Sequence, residues 1–403
     1  MSLSFNIEKF VGQHITHRTE SLFKPDLDAH YETFKKEIEG KKVLVIGGAG
    51  TIGSSYIRAL VKYNPAKLIV VDINENGLTE LVRDCRSRND IQLPQDFKTY
   101  PVNFSDKVFT KIFLHEGPFD IVANFAAHKH VRSEKDIYSI EAMVDNNVIK
   151  AKALLDVLLQ YPPKHFFCVS TDKAANPVNV MGASKKLMEE VILAYSEKFK
   201  ITTARFANVA FSNGSLLIGF VDRVLKQQPL SCPSDVKRFF VSPDESGQIC
   251  LSACILGNSG EIFFPKLEEE TMVKFADVVE PFLQEIGYDM KVCATEEEAR
   301  SSQEDIANGK YPVYFFSSNT SGEKLYEEFY TDTEELDMNT YQSFGVVKNA
   351  ERRQIAELDN VIEELKKVFE SETSEKKDIV AALNKMIPGF EHIETGMGLD
   401  QKM

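Results

Sequence analysis

The 403-residue chain has no run of eighteen or more apolar residues, so none of it reads as a membrane-spanning helix. Its first ten residues include Glu8 and Lys9 and lack a long apolar stretch, so they do not read as a secretory signal. Cysteine is sparse. The six (Cys85, Cys168, Cys232, Cys250, Cys254, Cys293) form no C-x-x-C pair and no metal-like spacing, which points to reduced thiols in a cytoplasmic protein. Cys250 and Cys254, four apart in an apolar stretch, are expected in a core. Basic excess is also missing. With 47 Lys and Arg against 61 Asp and Glu, the formal charge is −14, which disfavours nucleic acid or an anionic membrane as partner. A local cluster is a separate matter: Lys129, Arg132, Lys173, Lys185 and Lys186 are expected to line a basic pocket on an acidic body.

What is present is the composition of an ordinary globular chain, 43% hydrophobic and 27% charged, long enough for one large or two modest domains. Apolar runs at 42–47, 67–72, 97–102, 119–125, 165–170 and 201–206, rich in Val, Ile and Phe, alternate with segments of helix length. That pattern predicts an α/β fold with a doubly wound parallel sheet buried on both faces. Residues 1–40 precede it, with Tyr31, Phe34 and Ile38 forming a weak amphipathic stripe expected to wrap the domain or a partner subunit. Beyond 206 the alternation becomes irregular. We read 41–206 as the nucleotide-binding domain, 207–345 as a smaller substrate-binding region that returns elements to the sheet, and 346–403 as a helical tail. Residues 296–302 read as a loop or exposed helix. In the tail, Ile355, Leu358, Ile362, Leu365 and Phe369 are spaced 3, 4, 3, 4. Two heptads are too few for a zipper, so this helix is expected to dock on its own domain.

The stretch after the first strand carries Gly47, Gly50 and Gly53, with Thr51 and Ile52 between the last two at the start of a helix. Such a loop lets backbone N–H groups approach a pyrophosphate at a helix N-terminus. Asp72 ends the second strand, nineteen residues past Gly53, near the ~20-residue spacing of a carboxylate that binds an adenosine ribose. Asp72 repels a 2′-phosphate and no Arg follows until Arg83, so NAD is favoured over NADP. At the end of the fourth strand, small Ala126 allows close approach to a cofactor. His128 and His130 flank Lys129 and lack a third ligand, so no metal site is read there.

Residues 169–186 hold the densest chemistry. Thr171, Asp172 and Lys173 fall where a buried strand ends, and Met181 and Lys185 stand one helical turn apart. A hydroxyl, a carboxyl and two amines at one sheet end can move both protons and hydride.

Together GGAGTIG (47–53), AAHKHV (126–131), STDKAANPVNVMGASKK (170–186), RFANV (205–209), KRFFVSPDES (237–246) and SGEKLYEE (321–328) resemble the extended short-chain dehydrogenase/reductases. Within them the match is to the nucleotide-sugar 4,6-dehydratases of polysaccharide biosynthesis, the UDP-N-acetylglucosamine 4,6-dehydratases above all. The resemblance implies NAD held by Gly47, Gly50, Gly53 and Asp72, with Lys185 on the nicotinamide ribose. It implies Asp172 as acid for the departing 6-hydroxyl, Lys173 as base for the C5 proton, and Thr171 on the sugar 4-oxygen. Lys129 would lie beside the substrate at the site that Met181 also borders. Asn208, Arg238 and Glu323 match positions near the nucleotide. A nucleotide-sugar substrate and a homo-oligomer are further expectations.

The chain departs from the superfamily at Met181, where Tyr of a Tyr-x-x-x-Lys pair normally stands. Met cannot remove a proton, so Asp172, relayed through Thr171, would be the base for the 4-hydroxyl. Ile46 replaces the commoner Thr, and Ala207 and Phe211 replace Gly and Leu. Phe211 is expected to reshape the sugar pocket. Two other readings stay open: a nucleotide-sugar 4-epimerase, which has no need of the Asp172–Lys173 pair, and an inert NAD-binding regulatory protein.

Overall fold

The computed structural model describes residues 5–318 and 328–393. Its centre is a nine-stranded sheet. In chain order the strands are β1 (Lys42–Ile46), β2 (Lys67–Asp72), β3 (Asp96–Pro101), β4 (Ile121–Asn124), β5 (His165–Val169) and β6 (Ile201–Ala204), then β7 (Ile262–Pro265), β8 (Leu336–Asp337) and β9 (Phe344–Val347). Each of the first six lies within the stretch that the apolar runs predict, or a residue outside it. Across the sheet the order is β8-β9-β7-β6-β5-β4-β1-β2-β3. Strands β1 to β7 run parallel, and β8 and β9 close the edge antiparallel. Val43, Leu44, Val45, Leu68, Ile69 and Val70 are all fully buried, as strands covered by helices on both faces must be.

The strand order reverses between β1 and β4. In an open α/β sheet a crevice forms beyond the carboxyl ends at that point. Two helices bear on it. Thr51–Val61 follows β1, and Pro243–Leu256 packs across it. Gly247 makes that crossing possible, because a Cβ there would lie 2.2 Å from the carbonyl carbon of Ser55. Cys250 and Cys254 on this helix are buried.

A second, smaller core lies beside the sheet. Parallel strands Asp289–Cys293, Lys310–Phe316 and Leu230–Pro233 pack with helices Leu216–Leu225 and Phe275–Glu285. Residues 207–345 are therefore shared, since β7, β8 and β9 return to the main sheet. The stretch after 295 is a short helix, Glu296–Ser301, capped by Thr295.

The N-terminal extension wraps its own chain. Phe10 and Val11 of the helix Ile7–His14 enter the second core. Arg18 forms a bidentate pair with Glu245, at 3.1 and 2.9 Å. Asp26 accepts the backbone N–H groups of Gln342 and Ser343 ahead of β9. Phe34 and Ile38 enter the main core while Tyr31 stays exposed. At the other end, Leu358, Ile362 and Leu365 of the helix Ile355–Glu370 join the main core, and Lys152 pairs with Asp359 of that helix at 2.9 Å. Among the described residues no helix is long and apolar enough to cross a membrane.

Candidate active site

The crevice at the switch point has a volume of about 200 Å³ and is bordered by the ends of β1, β2 and β4. Gly47 has φ +75°, and a Cβ there would sit 2.6 Å from the backbone nitrogen of Ala126. A Cβ on Gly53 would lie 2.3 Å from the Gly47 carbonyl oxygen. Both glycines are thus required for the loop to close between β1 and β4. Gly50 occupies the N-cap of Thr51–Val61, and no described side chain caps that end. Its first-turn N–H groups are left for an anion, with the helix dipole in favour. Thr51 is the first helical residue and its Oγ1 accepts the N–H of Asn213 at 2.9 Å, joining the glycine loop to the loop before Leu216. Ile52 packs against the main core.

Asp72 sits on the crevice wall. Its Oδ2 accepts the Ala49 N–H at 3.0 Å and its Oδ1 the Asn74 N–H at 2.9 Å. Each carboxylate oxygen keeps a lone pair for a further donor. Next to it Ile73 is 71% exposed, a bare apolar surface beside the carboxylate. Val102, Asn103 and Phe104, from the loop after β3, complete this wall. No motif of the sequence marks these three residues. These groups fit a dinucleotide: an anion cradle, a carboxylate facing outward, and apolar surface for a base.

At the end of β5, Thr171 Oγ1 donates to Asp172 Oδ1 at 2.7 Å. The same oxygen accepts the Lys173 N–H at 2.9 Å and Lys173 Nζ at 3.1 Å. Asp172 is 4% exposed. Lys185 is buried on the helix Val180–Ala194, its Nζ donating to the Val169 carbonyl at 2.7 Å. Burial pushes its ammonium down from the ordinary lysine range, with Cys168 and Glu189 opposing. Met181 is buried one turn earlier. Its N–H goes to Glu134 Oε1 at 2.9 Å.

Behind this strand end lies a buried ionic cluster. Arg205, with no exposed surface, makes two bonds to Glu189, at 2.9 and 2.8 Å, and one to Glu334 at 2.8 Å. Ser170 Oγ donates to Glu189 Oε1 at 2.6 Å. The residue just before Thr171 is thereby fixed.

Asn147 stands in none of the sequence motifs. It lies in a π turn, Asp145–Ile149, is buried, and holds both backbone groups of His128. It also donates to Ser184 Oγ at 3.0 Å. π turns inside helices are frequent at functional sites; here the turn ties the loop after β4 to the helix of Lys185.

Lys129, Lys173, Lys185 and Lys186 do not gather into one pocket, and the Arg132 side chain lies outside what the structure describes. Lys185 points back at its strand, Lys173 pairs with Asp172, and Lys186 lies near the carboxylates of Glu189 and Glu190. Lys129 is exposed in the loop after β4, and Ala126 lines the crevice. Asn208 is half-buried in a two-residue strand, its N–H bonded to the Phe239 carbonyl at 3.1 Å. Arg238 is buried, with Nη1 on the Lys237 carbonyl at 2.8 Å. Glu323 lies outside the described residues. Phe211 also corrects an expectation. At φ +53° its ring turns into the second core, 5.9 Å from Phe10 and 6.4 Å from Phe282, and is buried there.

Residues 43–349 match a family described as polysaccharide biosynthesis protein. The chain belongs to that family. An uncharacterized membrane protein of Methanocaldococcus jannaschii is 33% identical over 76% of this chain and 85% of its own length. The capsular polysaccharide biosynthesis protein CapD of Staphylococcus aureus is 27% identical over 84% of this chain, which spans about half of CapD, 53%. A UDP-N-acetylglucosamine 4,6-dehydratase (inverting) of Campylobacter jejuni is 26% identical over 60% of this chain and 72% of its own length. Among solved structures, Pen from Bacillus thuringiensis superposes with a TM-score of 0.64 at 21% identity, covering 79% of this chain and 91% of Pen. That likeness is one of fold.

Proposed function

We propose that the protein is a nucleotide-sugar 4,6-dehydratase, acting on UDP-N-acetylglucosamine or a close nucleotide N-acetyl sugar with NAD held in the crevice. The observation that carries this reading is the Thr171–Asp172–Lys173 cluster, in which one carboxylate oxygen meets a hydroxyl at 2.7 Å and an ammonium at 3.1 Å. The relative from Campylobacter jejuni, named for this reaction, supports it. Asp72, with no arginine among the described residues that line the crevice, supports NAD over NADP.

When bound, the nicotinamide would accept hydride from sugar C4 and return it at C6. The residues handle the protons. Thr171 relays the 4-hydroxyl proton to Asp172. Lys185 holds its place by the Val169 carbonyl, so its ammonium favours the 4-oxygen losing that proton. Once Asp172 is protonated, Lys173 loses its counter-charge and yields its surplus proton to water more readily. Oxidation at C4 makes the C5 proton acidic. Neutral Lys173 takes it while Asp172 gives its proton to the leaving 6-hydroxyl, which departs as water. C5 then recovers a proton, and the net change is loss of one water. A 4-epimerase, the activity named for relatives in Rickettsia, needs only the C4 hydride steps.

Lys173→Ala separates the two. In a dehydratase it stalls the cycle after C4 oxidation, so mixing with UDP-N-acetylglucosamine builds up reduced cofactor, read at 340 nm, with no dehydrated product. Unchanged turnover in Lys173→Ala would contradict the proposal.

A further inference from the structure

Glu134 ends the short turn Val131–Glu134, five residues beyond Lys129. It is buried, with 7% exposed. Its Oε1 accepts the N–H of Met181, in the first turn of the helix that carries Lys185. Asn179 caps the adjacent N–H, that of Gly182, at 2.7 Å. A carboxylate is favoured at a helix N-terminus by both the free N–H and the dipole. Its other oxygen, Oε2, lies 3.4 Å from Nε2 of His392, near the C-terminus. The next residue, Ile393, donates its N–H to the Val178 carbonyl at 3.0 Å. Ile387 and Phe390 are buried in the main core, and Arg353, which donates to the Met386 carbonyl, pairs with Glu190 at 3.0 Å on the helix of Lys185. Residues 387–393 are thus fastened to the loop 176–181 and to the turn behind Lys129.

We infer that Glu134 is a positioning residue for the candidate site and that residues 387–393 form part of its wall, with His392 as the partner that keeps Glu134 on Met181. Glu134 touches no reacting atom. It fixes the loop of Lys129 to the helix of Lys185, so the distance between the substrate loop and the catalytic strand depends on a contact 258 residues away in sequence. This rests on the function proposed above only for its kinetic readout.

The test compares Glu134→Ala, Glu134→Gln, His392→Ala and His392→Gln in the full chain. Two readouts are taken: hydrogen–deuterium exchange of the peptide spanning 176–186, and steady-state turnover of UDP-N-acetylglucosamine. Loss of a cap contact is expected to speed exchange at residues 180–183 by about fivefold in Glu134→Ala. His392→Ala moves it the same way by less, and both Gln variants restore much of the protection. Turnover in Glu134→Ala is expected to fall about tenfold in kcat, with bound cofactor and melting temperature close to the parent. Parent-like exchange at 180–183 in both Ala variants would overturn the inference, as would faster exchange with unchanged kcat. If the parent turns over no nucleotide sugar, the proposed function fails on its own, and the exchange data still decide whether Glu134 and His392 hold this helix.

Discussion

Asp172 carries the chemistry at the scale of single residues. One of its oxygens meets Thr171, the Lys173 backbone and the Lys173 ammonium at once. Replacing Asp172 by Asn leaves the shape but removes the proton acceptor and releases the ammonium. We expect kcat to fall by about 10²–10⁴-fold with cofactor content unchanged, measured by turnover and by the absorbance of cofactor released on denaturation. What was legible at this scale was whatever sits in one short stretch. Gly47, Gly53 and Asp72 announce themselves by spacing, because the turn and the carboxylate that meets it come from adjacent strands. Phe211 misled for a physical reason. Its neighbours Phe10 and Phe282 come from the N-terminal extension and the second core, and nothing local shows that its ring is a core residue.

The crossing of Thr51–Val61 by Pro243–Leu256 decides how the crevice is shaped at the scale of elements. Gly247 lets the two backbones touch, and any Cβ there overlaps the Ser55 carbonyl at 2.2 Å. Gly247→Ala is expected to cost about 2 kcal/mol or more and to weaken cofactor retention together with stability, since the first helix presents the anion cradle. Thermal unfolding with and without added NAD checks this. A variant as stable as the parent would mean the helices separate freely. Strands β1, β2 and β4 are readable because each is a largely apolar run, whereas β3 carries Lys98 and Thr99 and is only half-buried. The second core was less so: its strands at 230–233, 289–293 and 310–316 are short and widely separated, and they are joined only by parallel pairing. Asn147 was missed because a π turn has no clear sequence mark.

The N-terminal extension joins the two cores at the scale of the whole molecule, and ion clusters tie elements within the main one. Glu116 is held at about 2 by Lys67, Lys98 and Tyr100 against its own burial, and Glu37 likewise by Lys164 and His165. Both values lie below the ordinary 4.5 of a free glutamate. Their contribution is therefore fully present above about pH 5 and is lost as pH falls from there toward 2. Each is worth on the order of 1–3 kcal/mol, reduced by the solvent around Lys98. The unfolding midpoint in urea is expected to fall steadily between pH 5 and pH 3, and Glu116→Gln to flatten that slope. A slope unchanged in Glu116→Gln would contradict the assignment. The contacts of Arg18 with Glu245, Asp26 with Ser343 and Glu134 with His392 all join segments more than 200 residues apart, so no local pattern could have foretold them.

The most direct test of the central claim is incubation of the purified protein with UDP-N-acetylglucosamine in deuterated water without added reductant, followed by NMR and mass spectrometry. Loss of one water with deuterium at C5 is the result expected of a dehydratase whose base is Lys173. A C4 epimer with no water lost and no deuterium in the ring would contradict it and assign the Asp172–Lys173 pair another task.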